Sequence, residues 1–330
     1  MSFVMPLTTP RVDAALRDAA NGSPDARWVA AQALGSVSGE NRSKAIEALY
    51  RLREDPVEEV RTQAIEGLSE QMRSGAPIAI EELIGALDDP SSEVRCAAID
   101  AVAQIPGDFT KRIATLLTDN DPSVRAVTAS VLGELQAVHS SDQLAQLLED
   151  TIGFVQTKAA IALADMGDGR GVAVLVSLLE SGSENAYDAV LALGNLGDET
   201  VSPHLEKLAS RVFLSQALKA ATAVALVRCN ATRGRAILHA MITSRFRGTR
   251  MVVLGALARM PIAGMVASVA CLLDKKNPVE VSSAIQTLCA LSIEDDADGC
   301  RDALKDRRDR LVTDDLNNEL NEAIALCNRQ

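Results

Sequence analysis

Aromatic side chains are nearly missing from this chain: one Trp, two Tyr and five Phe make 2% of 330 residues, although 47% are apolar. A large globular core normally draws on Phe, Tyr and Trp, so the imbalance predicts many thin layers built from Ala, Leu and Val. Paired cysteines are missing too. Cys96, Cys229, Cys271, Cys289, Cys300 and Cys327 show no C-x-x-C spacing, which predicts reduced thiols, several of them acting as small apolar residues inside helices. The three histidines, His139, His204 and His239, share no helical face with one another or with a carboxylate at ligand spacing.

The most apolar window, Met251 to Leu273, contains Arg259 and Pro261 and reads as two buried helices, so no membrane span is expected. The opening MSFVMPLTTP has neither a basic nor a long apolar segment, and a cytoplasmic location is expected.

Motif-like strings do not add up to a reaction centre. His139-Ser140-Ser141-Asp142 has the residue types of a hydrolytic triad, but such a triad converges from separate places around an oxyanion hole. Gly167-Asp168-Gly169-Arg170-Gly171 follows a helix, where a phosphate-cradling loop would follow a strand. The run from Glu294 through Asp298 starts like a calcium loop, yet Lys305 falls where the bidentate Glu belongs. No catalytic residue, cofactor or metal is expected.

What the chain does have is a repeat. In Leu83 to Ile105 two short amphipathic helices meet at Asp88-Asp89-Pro90, with Val94, Ala98, Ala101, Val102 and Ile105 on one face of the second. Taking Val94 as an anchor, equivalents fall at Ala26, Val60, Val124, Val155, Asn185, Leu218, Thr249 and Glu280, in steps of 30 to 34 residues. A Leu or Val followed by a small residue, as in Leu34-Gly35, Leu132-Gly133 and Leu193-Gly194, closes most second helices. Such periods belong to stacked helical repeats.

The combination of Asp-Pro, Val-Arg and Ala-x-x-Ala-Leu in one frame resembles HEAT repeats, especially the short bacterial kind related to phycobilisome-lyase repeats. The resemblance covers residues 13 to 291 and implies an all-α, right-handed α-solenoid of about nine repeats. Residues 1–12, with Pro6 and Pro10, read as an irregular lead-in, and helices at 298–310 and 314–328 as a polar C-terminal cap. The whole chain, 1–330, would then be one solenoid. The resemblance also implies a ladder along the stack, in which Asp55, Asp89 and Asp121 meet Arg61, Arg95 and Arg125. After the fourth repeat the Arg position holds Gln156, Ala186, Lys219, Arg250 and Val281.

Charge is segregated. The chain carries −12 overall, which disfavours nucleic acid and anionic membranes as partners. Between Glu206 and Asp274, however, no acidic residue occurs, while Lys207, Arg211, Lys219, Arg228, Arg233, Arg235, Arg245, Arg247, Arg250 and Arg259 do. Phe213 and Phe246 are the only stacking groups there. Second helices are expected to line a concave face. By helical phase, Gln32, Thr62, Glu66, Asp100 and Ser130 point outward in the early repeats, and Ile161, Tyr187, Leu191, Val224 and Met251 in the later ones.

These features predict a non-enzymatic interaction scaffold or adaptor. A protein partner with an acidic segment would meet an apolar patch (Ile161, Tyr187, Leu191, Val224, Met251) flanked by Lys219, Arg245, Arg247 and Arg250. The resemblance leaves open a lyase or maturation-factor subunit of the phycobilin-lyase kind, and a nucleic-acid-binding helical repeat. Trp28 in the first repeat reads either as a cover for the open core end or as a partner contact.

Overall fold

The Asp-Pro turns and the three-and-four spacing of apolar residues produce the expected helix pairs. The computed structural model describes residues 9–275, 277–292, 297–308 and 314–327; Glu294, Asp295 and Asp296 lie outside them. Among the described residues there are twenty α-helices and no strand. The protein is an all-α solenoid fold, and its contacts divide it into two compact units, residues 1–166 and 167–330.

The first unit holds five pairs: α1 (Thr9–Asn21) with α2 (Pro24–Gly35), α3 (Arg42–Leu52) with α4 (Glu58–Arg73), α5 (Ile80–Gly85) with α6 (Ser92–Ala103), α7 (Thr110–Ala114) with α8 (Pro122–Glu134), and α9 (Ser141–Gln146) with α10 (Gly153–Asp165). Within the lead-in expected over residues 1–12, Thr9 onward is already helical, Pro10 included. Sequence sets the helix starts: Ser23 and Asp121 accept from the backbone N–H of Ala26 and Ser123, each followed by a proline in the first turn.

Second helices stack on one another through small residues. A Cβ placed on Gly133 would lie 2.8 Å from the Cα of Ala162, so α8 and α10 approach as closely as they do only because that position has no side chain. Leu34, Leu68, Leu132 and Leu163, the leucines of the closing motif, are fully buried.

The expected ladder is present and regular. Arg27, Arg61, Arg95 and Arg125 each lay both ends of the guanidinium fork on a carboxylate of the next repeat, at Asp55, Asp89, Asp119 and Asp150, with distances of 2.6 to 3.0 Å. Arg61, Arg95 and Arg125 also donate Nη1 to the carbonyl six residues back. Each Asp accepts the backbone N–H two residues on, which fixes its turn. The third acidic member is therefore Asp119 and not Asp121. Asp121 is the N-cap of α8, and in these four rungs the carboxylate sits five residues before the anchor. The Arg125 fork holds Asp150 below the usual carboxylate range against its burial. For Asp55, burial pushes the pKa up, and the Arg27 and Val57 hydrogen bonds outweigh it.

The second unit repeats the plan: α11 (Val172–Ser181) with α12 (Ala186–Leu196), α13 (Ser202–Ala209) with α14 (Gln216–Arg228), α15 (Thr232–Ile242) with α16 (Arg247–Arg259), α17 (Val266–Ala270) with α18 (Pro278–Leu291), and α19 (Ala297–Arg308) with α20 (Asp314–Cys327). The last pair buries Cys300, Leu304, Leu320, Ala323, Ile324 and Cys327 into the core of the unit.

Candidate functional site

The apolar face expected over the later repeats is largely consumed by packing within the second unit. On α14 seven consecutive residues, Ala220 to Leu226, are buried, which requires neighbours on every side of the helix. Two side chains reach across α14 from its flanking helices: Arg259 Nη1 on α16 donates to Tyr187 Oη on α12 at 3.2 Å, with the guanidinium 6.0 Å from the Tyr187 ring centre. Arg228, the last residue of α14, donates Nε to the carbonyl of Gly194 and Nη1 to that of Pro261. Gly194 makes room, since a Cβ there would sit 3.0 Å from the Cβ of Ala225 and collide with Met260.

This close approach corrects the expectation for Val224, which is fully buried in the core cluster. Leu191 and Met251 are half-buried against the same cluster, and Tyr187 is half-buried beside Arg259. Ile161, half-buried on α10, belongs to the first unit. Alternating exposure, the assumption behind the apolar patch, fails where three helices pack closely enough to cover the middle one.

Arg250 needs the second correction. It is only 9% exposed and lays Nε and Nη2 on Glu280 at 2.5 and 2.9 Å, with Nη1 on the Ser244 carbonyl at 2.7 Å. It is a rung of the ladder, not a free cation. The carboxylate has moved to the first turn of α18, because Lys275 stands five residues before the Glu280 anchor. Arg250 holds Glu280 below the usual carboxylate range against burial.

The remaining cations stay outside. Arg233, Arg245 and Arg247 are exposed and Lys219 is half-exposed, and among the described residues none of the four forms a salt bridge. The Arg245 guanidinium lies 4.6 Å from the centre of the Phe246 ring, itself 60% exposed. Lys219, Arg233 and Phe246 border a cleft of about 530 Å³ floored by Ala236, Ile237, Ala240 and Met241. A neighbouring cleft of about 590 Å³ is bordered by Arg211, Val212 and a wholly exposed Phe213, over Ala186, Leu208 and Leu218. Phe213 and Phe246 carry no site role in the sequence reading, which weighs them only as stacking groups. Their position in the repeat frame is the signal that finds them: Phe213 stands five residues before its anchor, where the early repeats have Asp.

In the first unit, Glu66, Asp100 and Glu134 border a cleft of about 490 Å³ on the second helices. Burial, then Glu134 and Glu66, push the Asp100 pKa up. His139 lies 3.4 Å from Thr110 Oγ1 and His204 lies 3.8 Å from Glu180. Among the described residues no three His, Cys, Asp or Glu side chains gather as a metal-ligand set, and no helix is long and apolar enough to cross a membrane. Trp28 is 37% exposed.

Comparison with known proteins places this geometry. The profile of HEAT repeats matches residues 11–103, 51–118 and 109–187. No curated protein matches the sequence. Among solved structures, YibA of Escherichia coli is 22% identical, with 68% of this chain and 82% of that one covered at a TM-score of 0.58, and it shares the fold. An engineered protein is 20% identical over 96% of this chain and 98% of its own (TM-score 0.47). The complex of CpcE and CpcF of phycocyanin lyase from Nostoc sp. PCC7120 is 19% identical over 67% and 96% (TM-score 0.45). With profile matches spanning residues 11 to 187 and the same helix pairs continuing to residue 291, the chain belongs to the HEAT-repeat family.

Proposed function

We propose that this protein is a non-enzymatic interaction scaffold that holds a protein partner on the later repeats, and that the partner presents an acidic segment. One observation carries the reading: among the described residues Lys219, Arg245 and Arg247 stand without salt bridges beside an exposed Phe246, in a chain that pairs the arginines following its repeat anchors rung by rung. Unpaired cations beside an exposed aromatic ring supply orientation and buried area at once. Tyr187, Leu191 and Met251 join the contact surface through their exposed parts.

The test is affinity capture by the wild-type chain beside an Arg245→Glu, Arg247→Glu variant of equal helicity by circular dichroism, with the captured protein then purified and titrated against both. Loss of affinity at least ten-fold in the variant is expected. Equal binding by both chains would refute a role for this surface.

A further inference from the structure

Within the second unit the ladder has two consecutive gaps, and a cleft sits in each. A rung joins the residue after one anchor to the residue five before the next, as in Arg61 with Asp89 and Arg95 with Asp119. By the same rule Lys219 on α14 should meet residue 244, and Ala186 on α12 should meet residue 213. Those positions hold Ser244 and Phe213. Lys219 and Ser244 border the first cleft, and Ala186 and Phe213 the second.

Ser244 is the rung position in all but its carboxylate. Its carbonyl accepts Arg250 Nη1 as the carbonyls of Asp55, Asp89 and Asp119 accept from Arg61, Arg95 and Arg125. Its Oγ accepts the Phe246 backbone N–H at 3.2 Å, as Asp89 Oδ1 accepts that of Ser91. The turn is intact, the acceptor is a hydroxyl, and among the described residues the cation across from it, Lys219, forms no salt bridge. In the other gap both rung groups are apolar.

Building on the reading above, we infer that a partner segment completes these two rungs: it places a carboxylate against Lys219 in the Ser244 cleft and an apolar side chain on Ala186 and Phe213 in the other. Charge complementarity chooses the acid, because residues 207–273 contain no carboxylate of their own. Adjacent repeats pack about 8–10 Å apart. An extended polyproline-type segment, at about 3.1 Å per residue and three residues per turn, spans that distance with residues i and i+3 on one side. The recognised pattern is therefore a large apolar residue and an Asp or Glu three positions apart.

The experiment uses the full chain and fluorescein-labelled, N-acetylated decapeptides rich in Ser and Pro. One carries Leu at i and Glu at i+3, and controls replace Leu by Ser, replace Glu by Gln, or move Glu to i+6. Anisotropy titrations should show the first peptide binding about ten-fold tighter than any control, as one buried Leu or one charge-assisted contact provides. Ser244→Asp, which gives Lys219 an internal carboxylate, should abolish that preference while leaving the thermal midpoint unchanged or raised. Phe213→Ser, at a wholly exposed side chain, should erase the Leu dependence alone.

Equal binding of all four peptides, undiminished binding to the Ser244→Asp chain, or tighter binding to phosphatidylserine vesicles would each overturn the inference. So would a self-associated chain whose dissociation follows Phe213→Ser. If the peptides fail while the Arg245→Glu, Arg247→Glu variant still loses a purified partner, the rung-completing geometry fails and the scaffold reading stands.

Discussion

Replacing Arg250 by Met should loosen the second unit locally and measurably. Glu280 is 1% exposed, and its two oxygens are satisfied by Arg250 at 2.5 and 2.9 Å. Removing one partner of a buried ion pair strands the other charge and costs about 3–5 kcal/mol, much more than the pair contributes net of desolvation. The Ser244 carbonyl loses its Nη1 donor as well. The assay is amide hydrogen exchange, which reads opening segment by segment. At about 1.4 kcal/mol per decade, amides of α16 and α18 should exchange on the order of a hundred-fold faster or more in the variant, while helices of residues 1–166 keep their rates. An Arg250→Met, Glu280→Leu chain should recover most of the loss, because two apolar groups leave no stranded charge. Acid tests the same pair. Glu280 has a lowered folded pKa, so its contribution is full above the unfolded carboxylate range of about 4.3 and disappears as pH falls through the folded value. Wild-type protection of α18 should therefore fall with pH below that range, and the double variant should respond less. Exchange that is unchanged in Arg250→Met, or a double variant no better than the single, would refute the reasoning.

Three further outcomes follow from the packing. Leu163→Asp buries an unpaired charge at a fully buried position of α10 and should destabilise the first unit by at least about 4 kcal/mol; an unaltered thermal melt would contradict the repeat register. Gly133→Val must push α8 from α10, given the 2.8 Å approach, at about 1–3 kcal/mol, read as a lowered urea midpoint. Burial pushes the thiols of Cys229 and Cys289 up to about 11, whereas Cys271 is exposed. Iodoacetamide at pH 8 should thus alkylate Cys271 first, and a peptide map showing Cys229 labelled as quickly would overturn that order.

The helix pairs were legible because their determinants are local and repeat: a proline after a capping residue, apolar spacing of three and four, and a small residue after the closing leucine. Three arginines of the ladder, Arg61, Arg95 and Arg125, are legible for the same reason, whereas Arg250, expected on the partner surface, is a rung as well. The acidic half of the ladder is legible at Asp55 and Asp89, whereas the expected Asp121 lies two residues beyond the true member, since two aspartates, Asp119 and Asp121, compete there and the N-cap hydrogen bond to Ser123 separates their roles. Val224 was placed outward because phase on a single helix reports which face meets its own pair. It says nothing of whether the helices before and after close over the opposite face, and that closure rests on contacts 72 residues apart between Arg259 and Tyr187.

The same distinction explains where this protein spends its few aromatics. Ala, Leu and Val fill the thin core, and Phe154, Phe213, Phe246 and Trp28 stand exposed by 37 to 100%. A repeat stack needs small side chains inside so that second helices can approach, as at Gly133 and Gly194, and a ring there would force them apart. Outside, that constraint is lifted: Trp28 and Phe154 stand beside complete rungs, and two rings stand where rungs are missing. Phe213 occupies a rung position outright, and Phe246 follows Ser244, which occupies the next. Within the second unit the rung position is thus filled in different ways: Arg250 and Glu280 form a polar rung, whereas Phe213 leaves an exposed ring there.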